Sequence, residues 1–286
     1  MNTVTSVAHL RRVVAAWRAE GRRVGFVPTM GALHAGHLAL VTRAREVADH
    51  VVASVFVNPT QFGANEDLSR YPRQPEKDAE LLAGAGCDLL FLPEVETLYP
   101  PGGTTWVVPE GPAEGLEGTA RPGHFRGVAT VVLKLFQLVT PDVAVFGEKD
   151  AQQLAVIERM VRDLFLPVEI VPHPTVREAD GLAMSSRNAY LSPAERRAAT
   201  ILHRALEAAR AAIVGGERDG DEIRLILREM LETEPLVAGV DYAEVVDADT
   251  FQPVRRLAGR VVLPLAVRLG GTRLIDNFRV DLDSVR

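Results

Sequence analysis

One cysteine in 286 residues, Cys87, removes two classes of protein at once: no intrachain disulfide can form, and no cysteine-rich metal site can be assembled. A reducing cytoplasm is the expected setting. Long apolar runs are lacking too. The longest, GVATVVLKLFQLV at 127–139, is broken by Lys134 and falls far short of the roughly 20 residues that span a bilayer, so it reads as a buried helix. The N-terminal MNTVTSVAHLRRVVAAWRAEGRR carries charges at helical spacing where an export signal needs an apolar core, and neither export nor a membrane partner is expected. Positive charge is not in excess: 32 Lys and Arg against 38 Asp and Glu leave a net charge of -6. That balance argues against nucleic acid as a partner and leaves small anionic ligands open. Low-complexity tracts and internal repeats are absent. With 47% hydrophobic and 24% charged residues the chain is ordinarily globular, and its length suits one large domain or two unequal ones.

What is present reads as an alternation of strands and helices. An amphipathic helix at about 4–19 precedes VGFVPTM (24–30), an apolar run of β-formers that ends in Pro, Thr and Gly. AGHLALVTRAREVAD (35–49) places Leu38, Val41, Ala44 and Ala48 on one face and predicts a helix, and VVASVFVN (51–58) returns as a strand. Further strands are expected at 88–93, 143–148 and 168–172, with helices at about 75–85, 127–139 and 150–164. Continuous apolar strands separated by helices imply a parallel sheet covered on both faces. The fold class is therefore α/β, a doubly wound parallel sheet of Rossmann-like kind over residues 1–180. The polar PTVREADGLAMSSRNAYLSPAERRAAT reads as a loop crossing to a second domain, with a helix starting at the Ser192, Pro193, Glu195 capping signal. Beyond about 221 a helix and alternating strands suggest a smaller α+β domain at 181–286.

Chemistry concentrates at VPTMGALHAGH (27–37). The first turn after the first strand of such a sheet is where open α/β folds bind ligands, and a helix N-terminus there offers N–H groups to a phosphate. Gly31 and Gly36 would let the backbone approach an anion, and His34 and His37, three apart, would stand at the helix start. Two other readings stay open on the residues alone. The pair could be half of a metal site, although no HExxH or nearby carboxylate completes it, or two structural histidines. GALHAG is neither GxGxxG nor a P-loop, so hydride transfer and P-loop hydrolysis lose ground.

HAGH has the His-x-Gly-His form of the nucleotidyl transferase superfamily and class I aminoacyl-tRNA synthetases, and MSSRN at 184–188 looks like that superfamily's second, mobile nucleotide loop. Together with VNPTQFGANEDLSRYPR, GHFRGVATVVLKLF, FGEKDAQQL and PTVREADGLAMSSRN, in this order, the chain closely resembles the pantothenate synthetase (pantoate–β-alanine ligase) family. The resemblance implies an ATP-dependent ligase that activates pantoate as pantoyl adenylate and passes the acyl group to β-alanine. The products would be pantothenate, AMP and pyrophosphate, and the pathway that of coenzyme A.

The same resemblance implies roles for residues. Met30, Gly31, Ala32, Leu33, His34, Ala35, Gly36 and His37 would line the ATP path, with His34 and His37 stabilising charge on the transferring phosphate. Gly147, Glu148, Lys149 and Asp150 would form a second ATP segment, Lys149 neutralising phosphate and Asp150 holding the ribose. Val176 would touch adenine, and Met184, Ser185, Ser186 and Arg187 would close on the triphosphate. The KMSKS lysines of the synthetases have no counterpart, so Lys149 and Arg187 would supply the positive charge. Gln61 and Gln153 would bind pantoate, with Asn58, Tyr71, Arg121 and His124 at matching positions, and Asp78 would serve Mg²⁺ through water or stand as a helical surface acid. A homodimer through the N-terminal domains is implied, with the C-terminal domain a lid hinged near Gly181. A dinucleotide-forming adenylyltransferase and a non-enzymatic ATP sensor are the competing readings.

Overall fold

The computed structural model describes residues 1–64 and 66–284. Asn65, inside the VNPTQFGANEDLSRYPR motif, and Val285 and Arg286, at the end of the expected C-terminal domain, lie outside the described residues. In chain order the elements are β1 (Asn2–Val4), α1 (Val7–Ala19), β2 (Val24–Thr29), α2 (Ala35–Val47), β3 (His50–Val55), α3 (Pro75–Gly84), β4 (Leu89–Phe91), α4 (Val95–Leu98), α5 (Leu116–Ala120) and α6 (His124–Val139). There follow β5 (Val143–Gly147), α7 (Ala151–Asp163), β6 (Glu169–His173), α8 (Pro193–Ala198), α9 (Ile201–Val214), α10 (Gly220–Glu232), β7 (Val237–Ala243), β8 (Val246–Asp247), β9 (Arg260–Leu269) and β10 (Thr272–Asp281).

Strands β1 to β6 form one sheet in the order β1-β4-β3-β2-β5-β6, with every pairing parallel. Its inner strands are buried on both faces: Val24, Phe26, Val27, Val51, Val52, Ala53, Val143, Ala144 and Val145 are all fully buried. This is why they read as continuous apolar runs with no alternation. The chain winds from β2 outward to β3 and β4, then resumes with β5 and β6 on the other side, so the winding reverses between β2 and β5. Ligands of open parallel sheets bind at such a switch, beyond the strands' carboxyl ends. Helix α2 starts there, directly after β2. One strand escaped the sequence reading: residues 2–4, just ahead of and overlapping the start of the helix expected at about 4–19, pair with β4, and Ser6 caps α1 by accepting from the His9 amide. Three residues are too few to establish a period.

By contacts the chain divides into two compact units, the first comprising 1–109, 121–148 and 156–174, the second 110–120, 149–155 and 175–286. The boundary expected at 180/181 thus falls at Pro174/Thr175, and two earlier segments belong with the C-terminal unit. Gly181, expected as a hinge, lies inside the second unit at φ +91°, where a Cβ would stand 2.0 Å from His203 Cδ2. The Arg177 guanidinium donates to its carbonyl at 3.0 Å.

In the second unit β10, β9 and β7 form an antiparallel sheet, with β8 also against β9. The alternation of β9 directs Val261, Leu263, Leu265 and Val267 to a core with Leu202, Leu206, Ile223 and Leu227, while Val262 joins Phe251, Val246 and Ala155 in another. Segment 110–120 is held by polar groups. The buried Glu117 carboxylate accepts from Arg273 Nη1 at 3.0 Å and from the Tyr242 hydroxyl at 2.7 Å. Gln152 accepts from the Glu117 amide and donates to the carbonyls of Pro112, Glu114 and Gly115. Burial, and then the negative field of Glu117, push the Tyr242 pKa well above the usual tyrosine value, which keeps the hydroxyl a donor.

Cys87, at the entry to β4, is 4% exposed, and burial pushes its thiol up to about 11. Thiolate is the reactive form. Ellman's reagent at pH 8 should therefore label no thiol in the folded protein and one per chain in denaturant; rapid native labelling would show that this strand entry opens.

Candidate active site

The turn between β2 and α2 is built by satisfying its amides one at a time. Thr29 Oγ1 donates to the Ser54 carbonyl at 2.8 Å and accepts from Gly31 N at 3.2 Å. Gly31 and Ala32 then take left-handed backbone, at φ +83° and +51°. The two oxygens of Asp78, a side chain 1% exposed, accept from the next amides, Ala32 N at 3.0 Å and Leu33 N at 2.9 Å. His34, extended at φ -136°, caps α2: its Nδ1 accepts from Gly36 N at 3.1 Å, and His37 Nδ1 accepts from His34 N at 3.4 Å. The two histidines are thus a reciprocal capping pair, with ring centroids 4.2 Å apart. Because both Nδ1 atoms accept, the neutral rings carry their proton on Nε2. The positive end of the α2 dipole favours an anion at this helix start.

Ala32 and Leu33 are buried, and Leu33 joins the sheet's core. Gly31 is required by the protein itself, since a Cβ there would lie 2.8 Å from Asp78 Oδ2 and 3.0 Å from Val55 Cγ1. Asp78 is not a surface acid: it is buried, and each of its oxygens accepts from an amide. Among the described residues no group of three or more His, Cys, Asp or Glu converges as a metal-binding set.

Gln61 stands beside this turn. It closes a 3-10 turn, Pro59–Gln61, capped by Asn58. Asn58 Nδ2 donates to Gln61 Oε1 at 2.9 Å, so the Gln61 amide has one orientation, and its NH₂ donates to Met30 Sδ at 3.2 Å. A thioether is a weak acceptor, and an oxygen ligand would replace it readily. Asn58 also donates to the Gly127 carbonyl and accepts from Thr60, which makes it the pin of the turn. The Gln61 carbonyl accepts from His124 Nδ1 at 2.9 Å, while Arg121 Nη1 donates to His124 Nε2 at 3.1 Å; arginine can only donate, so this histidine carries its proton on Nδ1. Arg121 grips Glu66 with two bonds, Nε to Oε1 at 2.9 Å and Nη2 to Oε2 at 2.6 Å. Glu66 was not singled out in the sequence, where an acid in a polar loop has no distinguishing mark. Tyr71 is buried edge-on against Phe62.

Gly147, at the carboxyl end of β5, has only Leu40 Cδ2 within 4.0 Å of where a Cβ would be, so no packing within the protein calls for glycine there. Glu148 follows it, and both are half-buried.

In the second unit, Lys149 and Asp150 complete the 3-10 turn Glu148–Asp150. The Lys149 carbonyl accepts from Asn277 Nδ2 at 2.9 Å, and Asp276 is gripped by both Arg177 amino groups at 2.7 and 2.9 Å. Gln153 follows on α7, half-buried and about 100° around the helix from Gln152. The stretch read as a crossing loop is a small hairpin: Arg177 bridges Ala183, and Met184 N donates to the Val176 carbonyl at 3.0 Å. Val176 and Met184, 8 residues apart in the chain, are thereby neighbours. Ser185 caps the following 3-10 turn, Ser186–Tyr190, by accepting from Arg187 N at 3.3 Å, so its oxygen has a structural partner. Ser186 and Arg187 are half-buried.

A doubly wound parallel sheet with a helix start at its switch point has the architecture of the nucleotide-binding α/β class. Comparison with known proteins narrows that class. The pantoate–β-alanine ligase family model matches residues 2–279, and the chain belongs to this family. It is 58% identical to the pantothenate synthetase of Heliobacterium modesticaldum over 275 residues, 95% of this chain and 98% of that one. Among solved structures it superposes on the pantothenate synthetase of Thermus thermophilus with a TM-score of 0.92 at 51% identity, covering 99% of each chain. It also superposes on the pantoate–β-alanine ligase of Francisella tularensis complexed with beta-gamma ATP and beta-alanine, with a TM-score of 0.79 at 33% identity over 99% of this chain and 98% of that one.

Gly127, in the first turns of α6, lets the helix press against the Gln61 turn: a Cβ would lie 2.5 Å from the Thr60 carbonyl and 2.7 Å from Gln61 N. Gly127→Ala should cost about 1–3 kcal/mol as overpacking and move the Gln61 amide. The expected outcome is a lowered melting temperature together with a raised KM for the acid substrate; an unchanged KM would detach this turn from substrate binding.

Proposed function

We propose that this chain joins pantoate to β-alanine at the expense of ATP, through pantoyl adenylate. The observation that carries the reading is the 3.2 Å contact of the Gln61 amide with Met30. It sets a donor suited to an oxygen of a small hydroxy acid beside the turn that faces phosphate, and the chemistry requires that adjacency. In the first step a pantoate carboxylate oxygen forms a bond to the α-phosphorus of ATP and the bond to the pyrophosphate oxygen breaks. In the second the β-alanine amine attacks the acyl carbonyl, AMP leaves with the bonding pair, and the amine gives up a proton.

His34 and His37 would donate their Nε2–H groups to phosphate oxygens as charge shifts toward the leaving pyrophosphate. Lys149 and Arg187 would supply positive charge to the same oxygens, with Ser185 and Ser186 as hydroxyl partners. Asp150 would hold the ribose, Val176 and Met184 the adenine, and the open space over Gly147 suits a flat ligand. Gln153 would share pantoate with Gln61. Mg²⁺ would arrive as the ATP complex, bound mainly to phosphate oxygens and water, and neutralise triphosphate charge. No helix among the described residues is long and apolar enough to cross a membrane, and the single buried thiol suits the cytoplasm.

The test is product analysis with Mg²⁺, ATP and pantoate, with and without β-alanine. AMP and pyrophosphate should appear, with pantothenate only when the amine is added. ADP and phosphate would overturn the reading, since attack would then be at the γ-phosphate, and a dinucleotide product would favour an adenylyltransferase. In the same assay His37→Ala and Lys149→Ala should slow adenylation by roughly 10²–10³.

The chain should also act as a homodimer, a reading supported by family membership. Sedimentation equilibrium at micromolar concentration should give twice the 31.1 kDa chain mass, and a constant 31.1 kDa would defeat it.

A further inference from the structure

We propose that Asp78 is a positioning residue: a buried carboxylate that shapes the phosphate-facing turn, in place of the cation-binding task its position in the sequence suggested. The proposal rests on the ATP-dependent reading above and deepens it. Asp78 sits in the first turn of α3, where its own amide donates to the Gln74 carbonyl, and its side chain enters the turn of a different segment. There it closes onto two successive amides, Ala32 N at 3.0 Å and Leu33 N at 2.9 Å.

Successive N–H groups converge on one acceptor only when the backbone turns left-handed, as Gly31 and Ala32 do. For Ala32, which carries a Cβ, that conformation is unfavourable. Charge-assisted hydrogen bonds to Asp78 offset that strain. Together with the Thr29 hydroxyl, which takes the Gly31 amide, the carboxylate occupies the consecutive amides 31, 32 and 33 from behind the turn. The chain is then delivered to His34 in the extended conformation that caps α2 and orients both imidazoles. In a family whose reaction turns on phosphate, an internal anion thus preorganises the backbone before the external one arrives.

A carboxylate with both oxygens so engaged, at 1% exposure, would have to abandon the turn to reach a cation. The clamp and metal readings therefore predict different behaviour. Asp78→Asn keeps the shape but turns one acceptor into a donor facing an amide N–H. Amide hydrogen exchange in the ligand-free protein should accelerate in peptides covering 30–38, with the remaining sheet peptides unaffected. In the adenylation assay kcat should fall by roughly tenfold or more, the rate equivalent of one charge-assisted bond, with a raised KM for ATP. The Mg²⁺ concentration giving half the maximal rate should be unchanged.

Unaltered exchange at 30–38, or a several-fold rise in that Mg²⁺ concentration with kcat recovered at saturating Mg²⁺, would overturn the proposal. Should Asp78→Asn fail to fold, Gly31→Ala tests the same clamp from the other side, because its Cβ would displace Asp78 Oδ2 while leaving the carboxylate's charge intact. The same local exchange and kinetic changes are expected, and wild-type behaviour would overturn the clamp. If the wild-type protein forms no AMP, the ligase reading fails, while exchange at 30–38 still decides whether Asp78 holds the turn.

Discussion

Every backbone amide between Gly31 and His37 that lies beneath the surface must find an acceptor, and the form of the turn between β2 and α2 follows from how that requirement is met. A helix start leaves its leading N–H groups without carbonyl partners. Thr29, Asp78, His34 and His37 take the amides before and within that start, each through a side-chain atom. The chemical consequence lies in the histidines. Using Nδ1 for the cap directs the remaining proton to Nε2, so in the proposed reaction the bonds that hold the helix in place would also decide which atoms meet a phosphate oxygen. Structure and the proposed catalysis would draw on opposite nitrogens of the same rings.

Gln61 follows a similar logic by different means. Its oxygen is taken by Asn58, its carbonyl by His124, and the Asn58 side chain is tied back to α6 through the Gly127 carbonyl. What remains is an NH₂ group resting on sulfur. Under the proposed function, a rigid donor on a weak acceptor would discriminate for an oxygen-bearing ligand, because the exchange of partner would favour the ligand and cost little side-chain entropy.

The second unit relies on buried charge. Glu117, Arg273, Tyr242 and Asp241 form a network in which each group is satisfied by the others, the condition under which buried polar groups are tolerated. Breaking one member would leave an uncompensated charge, a larger loss than the pair's own attraction. This network, with Gln152, draws segments 110–120 and 149–155 to strands far along the chain. It is also why the division of the chain at 180/181, natural to a linear reading, differs from the division by contacts.

Much of this protein was determined by sequence alone. The doubly wound sheet is legible because strands buried on both faces must be continuously apolar, and the helices between them because their apolar residues recur at the helical period. HAGH, GEKD and MSSR are local in the chain, so their chemistry and order can be read without coordinates. Tertiary structure decided what depends on meeting across distance. It paired Asp78 with amides 45 and 46 residues away, turning an acid with the look of a surface or metal-binding group into a backbone clamp. It brought Glu66 to Arg121, and folded a presumed crossing loop into a hairpin that sets Val176 against Met184. Residue type states what a side chain can donate or accept; which partner it finds is fixed by where the fold places the other half of the bond.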